Sequence, residues 1–74
     1  MKQLKLIPKT KRGQYSIAQH GNIWNIVEER ENEFVLESVR RTFNFGENWV
    51  HDGRRVDKIN DEHFLYKMIN KKDQ

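Results

Sequence analysis

Residues 23–39, IWNIVEERENEFVLESV, set two apolar runs on either side of a charged turn, and their reading decides the fold. In an extended Ile23–Glu29 segment, Trp24 and Ile26 share one face while Ile23 and Val27 share the other, which allows burial on both sides. Glu33 to Val39 answers as a second strand. Asn32, inside the polar stretch Glu29 to Glu33, supplies turn chemistry between the two.

Working outward toward the N-terminus, Leu4 and Leu6 alternate with lysines before Pro8, as in a short edge strand or N-terminal arm. KTKRG, residues 9–13, reads as a mobile basic loop, so that residues 1–13 form a strand and loop at the margin of the domain. In QYSIAQ, Tyr15 and Ile17 fall on one face at period two, and His20-Gly21-Asn22 tolerates positive φ. These features predict a first hairpin leading into Ile23 and complete a meander of three strands.

Toward the C-terminus, Arg40-Arg41-Thr42 leads to Phe43 and Phe45 on one face of an extended segment, and Gly46-Glu47-Asn48 is a turn signal. Asp52-Gly53, between Trp49-Val50-His51 and Arg54-Arg55-Val56, is a strong hairpin signal. Residues 60–72 open on an N-cap and acids and close on lysines, with Phe64/Met68 and Leu65/Ile69 at helical spacing. Capping and charge order favour a short helix over the alternative of a closing strand in HFLYKMI. The expected fold is mainly β: one domain over residues 1–74, built as a small antiparallel barrel or curled sheet of about five strands with a short C-terminal helix. Trp24 is expected in the core, and so are Trp49, Phe43 and Phe45.

Hydrophobic residues are 35% of the chain and charged residues 34%, which suits a small soluble domain. A chain of 74 residues buries only about 60% of its unfolded surface, so stability rests on a small core or on pairing with another copy. A homodimer is therefore one expectation. No apolar run approaches the roughly 20 residues of a membrane span, and the basic start lacks the apolar segment of a secretory signal, which points to a cytoplasmic protein without membrane contact. Cysteine is absent, which removes disulfides, thiolate nucleophiles and the usual structural zinc ligands.

His20, His51 and His63 stand at none of the metal-binding spacings, so neither metal nor cofactor is expected. His51 beside Asp52 has the composition of a base and its orienting acid, but adjacent strand residues face opposite ways and no nucleophile accompanies them. Ser16 and Ser38 lie in predicted strands as ordinary polar residues. Gly13, Gly21, Gly46 and Gly53 stand singly and build no phosphate-cradling loop. The chain is read as non-enzymatic.

Charge is banded more than its net value of +3 suggests. Lys2, Lys5, Lys9, Lys11 and Arg12 precede residue 15 without an acid. Five glutamates then lie between Glu28 and Glu37 against the single Arg30. Arg40, Arg41, Arg54 and Arg55 return the balance to positive against Glu47 and Asp52. Lys9, Lys11 and Arg12, the pair Arg40 and Arg41, and the pair Arg54 and Arg55 give three basic places, with Tyr15 or Trp49 as stacking rings. Cations that neutralise phosphates beside rings that stack on bases suit nucleic acid. Arg54 and Arg55 cannot both project from one strand face, so at most one of them joins a shared surface. The flexible KTKR segment carries more of the expectation, and recognition should be mainly electrostatic and weakly sequence-specific. The alternative partner is a protein, met by the acidic band and exposed rings, since interfaces also favour Trp, Phe, Tyr and Arg.

HGNIWNIVEERENEFVLESVRR, residues 20–41, resembles the strand-turn-strand of small SH3-like barrels of the KOW and Tudor kind, through Gly21, Trp24, Val27, Phe34 and Leu36. The resemblance covers less than a third of the chain and implies a binding module without choosing its ligand, which in those barrels is RNA, DNA, a ribosome, polymerase or a modified peptide. The compact, charge-dense chain is also similar in style to bacteriophage accessory proteins that bind a host protein, which would make it an inhibitor or modulator.

Overall fold

The structure, a computed structural model, describes residues 2–69. Its elements are β1 (Gln3–Pro8), α1 (Lys11–His20), β2 (Ile23–Glu29), β3 (Glu33–Ser38), β4 (Phe43–Phe45), β5 (Asn48–Val50), β6 (Gly53–Asp57) and β7 (Phe64–Ile69). Five strands form one antiparallel sheet in the order β6-β3-β2-β1-β7, and β4 and β5 form a separate two-stranded ribbon. The fold is mainly β, as expected.

Alternation along each strand decides which face is buried. Leu4, Leu6, Trp24, Ile26, Phe34, Leu36, Val56 and Phe64 point to one side and make the core, with Ile17 of α1 and Tyr66 packed against it. Trp24 is fully buried there, whereas Val27 is 56% exposed, so β2 is buried on one side only. At Val27 the β2–β3 register slips by one residue, placing Glu28 opposite Val35. Such a bulge bends a strand and increases its twist.

The sheet is strongly curled. Laid flat, β6 and β7 would stand four spacings of about 4.8 Å apart, roughly 19 Å. Instead, the guanidinium carbon of Arg54 on β6 lies 5.0 Å from the ring centre of Phe64 on β7. Phe34 of β3 likewise meets Tyr66 of β7 edge-on at 5.0 Å. Among the described residues no hydrogen-bonded ladder joins β6 to β7, so the sheet curls without closing into a barrel.

Residues 11–20 form a helix where a basic loop and a strand were expected. The Thr10 hydroxyl caps it by accepting the Gly13 N–H at 3.1 Å, and Gly21 ends it by donating its N–H to the Ile17 carbonyl at 2.7 Å. The inward stripe is Gly13, Ser16, Ile17 and His20, all buried or half-buried. Only one of these is a large apolar residue, so the helical period is nearly silent in hydropathy and the Tyr15/Ile17 alternation imitates a strand. Gly13 is required by close approach: a Cβ there would lie 2.7 Å from the His63 carbonyl oxygen.

The expected C-terminal helix is a strand. Phe64 is buried and Tyr66 half-buried at period two, and β1 offers β7 six paired residues. Residues 70–72 of the expected helix lie outside the described residues. The cap chemistry read at Asn60-Asp61 is used, but to launch a strand: Asp61 Oδ2 accepts the N–H groups of His63 and Phe64, each at 3.0 Å. In the turn before it, Asp57 accepts from Ile59 and Asn60, which holds its carboxyl below the ordinary value. That turn contact is therefore complete above the usual carboxylate range and lost as pH falls through the lowered value.

Asp52-Gly53 does not form a hairpin. β5 pairs with β4, whereas β6 pairs with β3, so the two strands flanking the dipeptide belong to different sheets. Ser38 takes Asp52 instead: its backbone N–H donates to the Asp52 carbonyl at 2.8 Å, and its fully buried hydroxyl accepts the Asp52 N–H at 2.7 Å and donates to the Arg40 carbonyl at 2.6 Å. The working turn is Gly46-Glu47, between the paired residues Phe45 and Asn48, with Gly46 at φ 67° as a two-residue loop of this hand requires. Phe43, Phe45 and Trp49, expected in the core, are exposed on this ribbon, which is a separate sheet from the five strands.

Replacing Gly13 by Ala should lower stability by about 1–3 kcal/mol, because the obstacle is backbone and outweighs the gain of up to about 1 kcal/mol in helix propensity. Urea unfolding followed by circular dichroism measures this, and an unchanged or raised midpoint would contradict the docking of α1 on β7.

Candidate nucleic-acid interface

Alternation along β6 sends Arg54 to the core side with Val56 and sends Arg55 to the opposite face. Arg54 is thus half-buried, with its guanidinium over Trp24 at 5.6 Å and over Phe64 at 5.0 Å. Its Nη2 donates to the hydroxyl of Ser16 on α1. Its Nε is buried without a hydrogen-bond partner. A shielded donor without a partner costs on the order of 1–3 kcal/mol, and no carboxylate among the described residues lies within ion-pair distance of this cation.

Arg54 lines a cleft of about 250 Å³ together with Arg12, Gly13, Ser16, His63 and Phe64. Helix geometry accounts for the convergence, since Arg12 and Ser16 are one turn apart on α1. His63 is fixed by its Nδ1, 2.8 Å from the Thr10 hydroxyl, and its Nε2 lies 3.7 Å from the exposed carboxylate of Glu62. Two arginines from different elements therefore line one depression.

The cations continue along α1. Arg12 stands at its start, Arg54 is bonded at Ser16, and at Gly21 a Cβ would lie 3.6 Å from Nη2 of Arg40. At 1.5 Å of rise per residue these points are separated by about 6 Å and about 7.5 Å along the helix. The first turn of α1 holds no acid, although Lys11 and Arg12 oppose the helix dipole there. Lys9 donates from Nζ to the Asp61 carbonyl at 2.7 Å, and Lys11 is exposed.

Four expected site residues lie elsewhere. Arg55 pairs with Val35 on the far face of the sheet. Tyr15 is 77% exposed on the outer side of α1, beside Lys11 and Gln14. Arg41 and Trp49 share a groove of about 590 Å³ along the ribbon with His51.

Acidic and basic groups are treated differently by the fold. Arg30 pairs with Glu28 and, at 2.9 Å, with Glu33; Lys58 pairs with Glu29 at 2.9 Å and holds that carboxyl below its ordinary value; Glu37 lies 3.7 Å from His51. The acidic band is largely answered within the chain. By contrast, among the described residues Lys11, Arg12, Arg40, Arg41, Arg54 and Arg55 make no ion pair. Exposed pairs add little stability, so the asymmetry bears on surface potential more than on folding.

His51 and Asp52 do not act together: the His51 ring bonds the Ser38 carbonyl at 2.6 Å, while Asp52 lies 3.4 Å from His20. Among the described residues no three His, Asp or Glu side chains converge as metal ligands, and no helix is long and apolar enough to cross a membrane. Ser16 and His63 belong to the cleft but were not singled out as site residues in the sequence. The usable signal for Ser16 was the bracket of Thr10 and Gly21, which makes residues 12 and 16 helical neighbours. No family model, curated protein or solved structure matches this chain.

Arg54→Met keeps the long stem that covers Trp24 and Phe64 while deleting the charge and the orphaned donor. Its unfolding free energy should stay within about 1 kcal/mol of the parent, as volume-conserving swaps do. A loss well beyond that in denaturant unfolding would make Arg54 a structural residue and remove the electrostatic argument for the cleft.

Proposed function

We propose that this protein is a non-enzymatic nucleic-acid-binding module that grips phosphates along α1, with Arg54 as anchor and Arg12 and Arg40 on either side of it. The observation that carries this reading is the half-buried Arg54 guanidinium, which has no acid partner among the described residues and shares its cleft with a second arginine. Desolvating a cation without a counter-charge is unfavourable, and a phosphate oxygen in the cleft would supply the missing partner. The uncompensated cations at the start of α1 favour an anion in the same place. Backbone contacts of this kind carry little sequence information, so recognition is electrostatic and weakly specific.

The strand pair with Gly21, Trp24, Val27, Phe34 and Leu36 supports a likeness to SH3-like binding modules in an open form. A second reading, a protein-interaction module, is favoured by the exposed Phe43, Phe45, Trp49 and Val50 on the ribbon. The internal pairing of the acidic band argues against that band as its contact surface.

Fluorescence anisotropy of labelled oligonucleotides at several salt concentrations tests the first reading. Its logarithmic slope should correspond to about three phosphates or more, at roughly 0.7–0.9 each. The double variant Arg12→Ala/Arg54→Met should lower the slope by about 1.4 to 1.8. Absence of binding at low salt, or an unchanged slope in the double variant, would refute the assignment.

A further inference from the structure

The ribbon β4–β5 leaves its apolar residues partly to largely exposed. Phe43, Phe45, Trp49 and Val50 are exposed by 46, 73, 57 and 37%. A two-stranded ribbon is marginal on its own, yet this one is pinned at its base. Ser38 holds Arg40 and Asp52 there, and the His20 ring holds Thr42 at 2.6 Å and Asp52 at 3.4 Å. The rings are therefore presented on a fixed arm. Pairing of Asn44 with Trp49 and of Phe43 with Val50 puts Trp49 on one face of the arm and the two phenylalanines with Val50 on the other.

The arm leaves the body where the row of cations along α1 ends. Arg40 lies over Gly21 at the C-terminal end of α1, and the next residue, Arg41, shares the groove of Trp49. Neither arginine has an ion-pair partner among the described residues, and Glu47, the one acid between Arg40 and Val50, lines the groove together with Arg41 and Trp49. A chain of phosphates following Arg12, Arg54 and Arg40 would thus run toward the groove that Arg41 shares with Trp49. The ring can stack only on a base that is not already stacked within a duplex.

Resting on the nucleic-acid reading, we infer that the ligand is single-stranded, with unpaired bases stacking on Trp49 and Arg41 beside its phosphate. Base–aromatic stacking is tolerant of sequence and changes affinity by about tenfold per base. The phenylalanine face is left for a further base.

Tryptophan emission tests this directly, because Trp24 is fully buried and Trp49 is the exposed indole. Titration with oligothymidylate should quench the Trp49 emission, and a hairpin duplex of equal length should not. Trp49→Phe should retain the Trp24 signal and lose the quench. Trp49→Ala should weaken binding of the single strand about tenfold and leave binding of the duplex within about twofold of the parent.

If anisotropy shows oligothymidylate bound without quenching, and Trp49→Ala binds as the parent does, the arm has no such role while the phosphate row stands. If neither oligonucleotide binds, both readings fail together. Concentration-dependent self-association in sedimentation that Phe45→Ser abolishes would assign the rings to a second copy and overturn the inference.

Discussion

The Arg54 guanidinium fills the gap between the two edges of a sheet that curls until they meet but does not join them by hydrogen bonds. A closed barrel would set a ladder of backbone hydrogen bonds between β6 and β7. Here a side chain from β6 reaches across instead, lies over Phe64 of β7 and Trp24 of β2, and bonds to Ser16 of the helix that caps the opening. The bulge at Val27, the close approach at Gly13 and the strand at Phe64–Ile69 all serve to bring that junction together. The bridge is cationic and incompletely partnered, so the place where the sheet fails to close also holds a shielded cation with no acid partner among the described residues.

That arrangement separates stability from surface chemistry. Among the described residues the core is eight apolar side chains on one face of the sheet, with Ser38 the one buried polar residue among them. Acids around the β2–β3 turn are neutralised by neighbours, while the arginines of α1, β6 and the β3–β4 connection have no acid partner among the described residues. A sheet selected for stability alone would gain from an apolar residue at Arg54 or an acid beside it. Its absence is consistent with a site whose counter-charge arrives from outside, at some cost to the free protein.

Much of the sheet was legible because alternation and turn chemistry are local. Trp24, Ile26, Phe34 and Leu36 identified β2 and β3, whereas the three basic places of the sequence are regrouped, with Arg54 beside Arg12 and Arg55 on the far face. The helix was hidden because its inner stripe, Gly13, Ser16, Ile17 and His20, is mostly small or polar, so capping by Thr10 carried the signal that hydropathy did not. The tail misled because an Asp that caps a helix and an Asp that opens a strand accept the same backbone N–H groups. Asp52-Gly53 looked like a hairpin because nothing local reveals that Ser38, fourteen residues away, holds Asp52. The convergence of Arg12 with Arg54 depends on sheet curl, which no short stretch encodes. Their charge was visible in the sequence, and their meeting was not.

Nuclear magnetic resonance of the nitrogen-15-labelled protein, recorded over the amides and the arginine Nε–H groups during titration with a single-stranded oligonucleotide, tests the central claim most directly. The buried Arg54 Nε–H should give a protected resonance that shifts on binding together with the amides of Arg12, Gly13 and Ser16, while Arg55 and Val35 on the far face stay in place. Shifts confined to the far face, or binding that leaves the Arg54 Nε–H unmoved, would contradict the account.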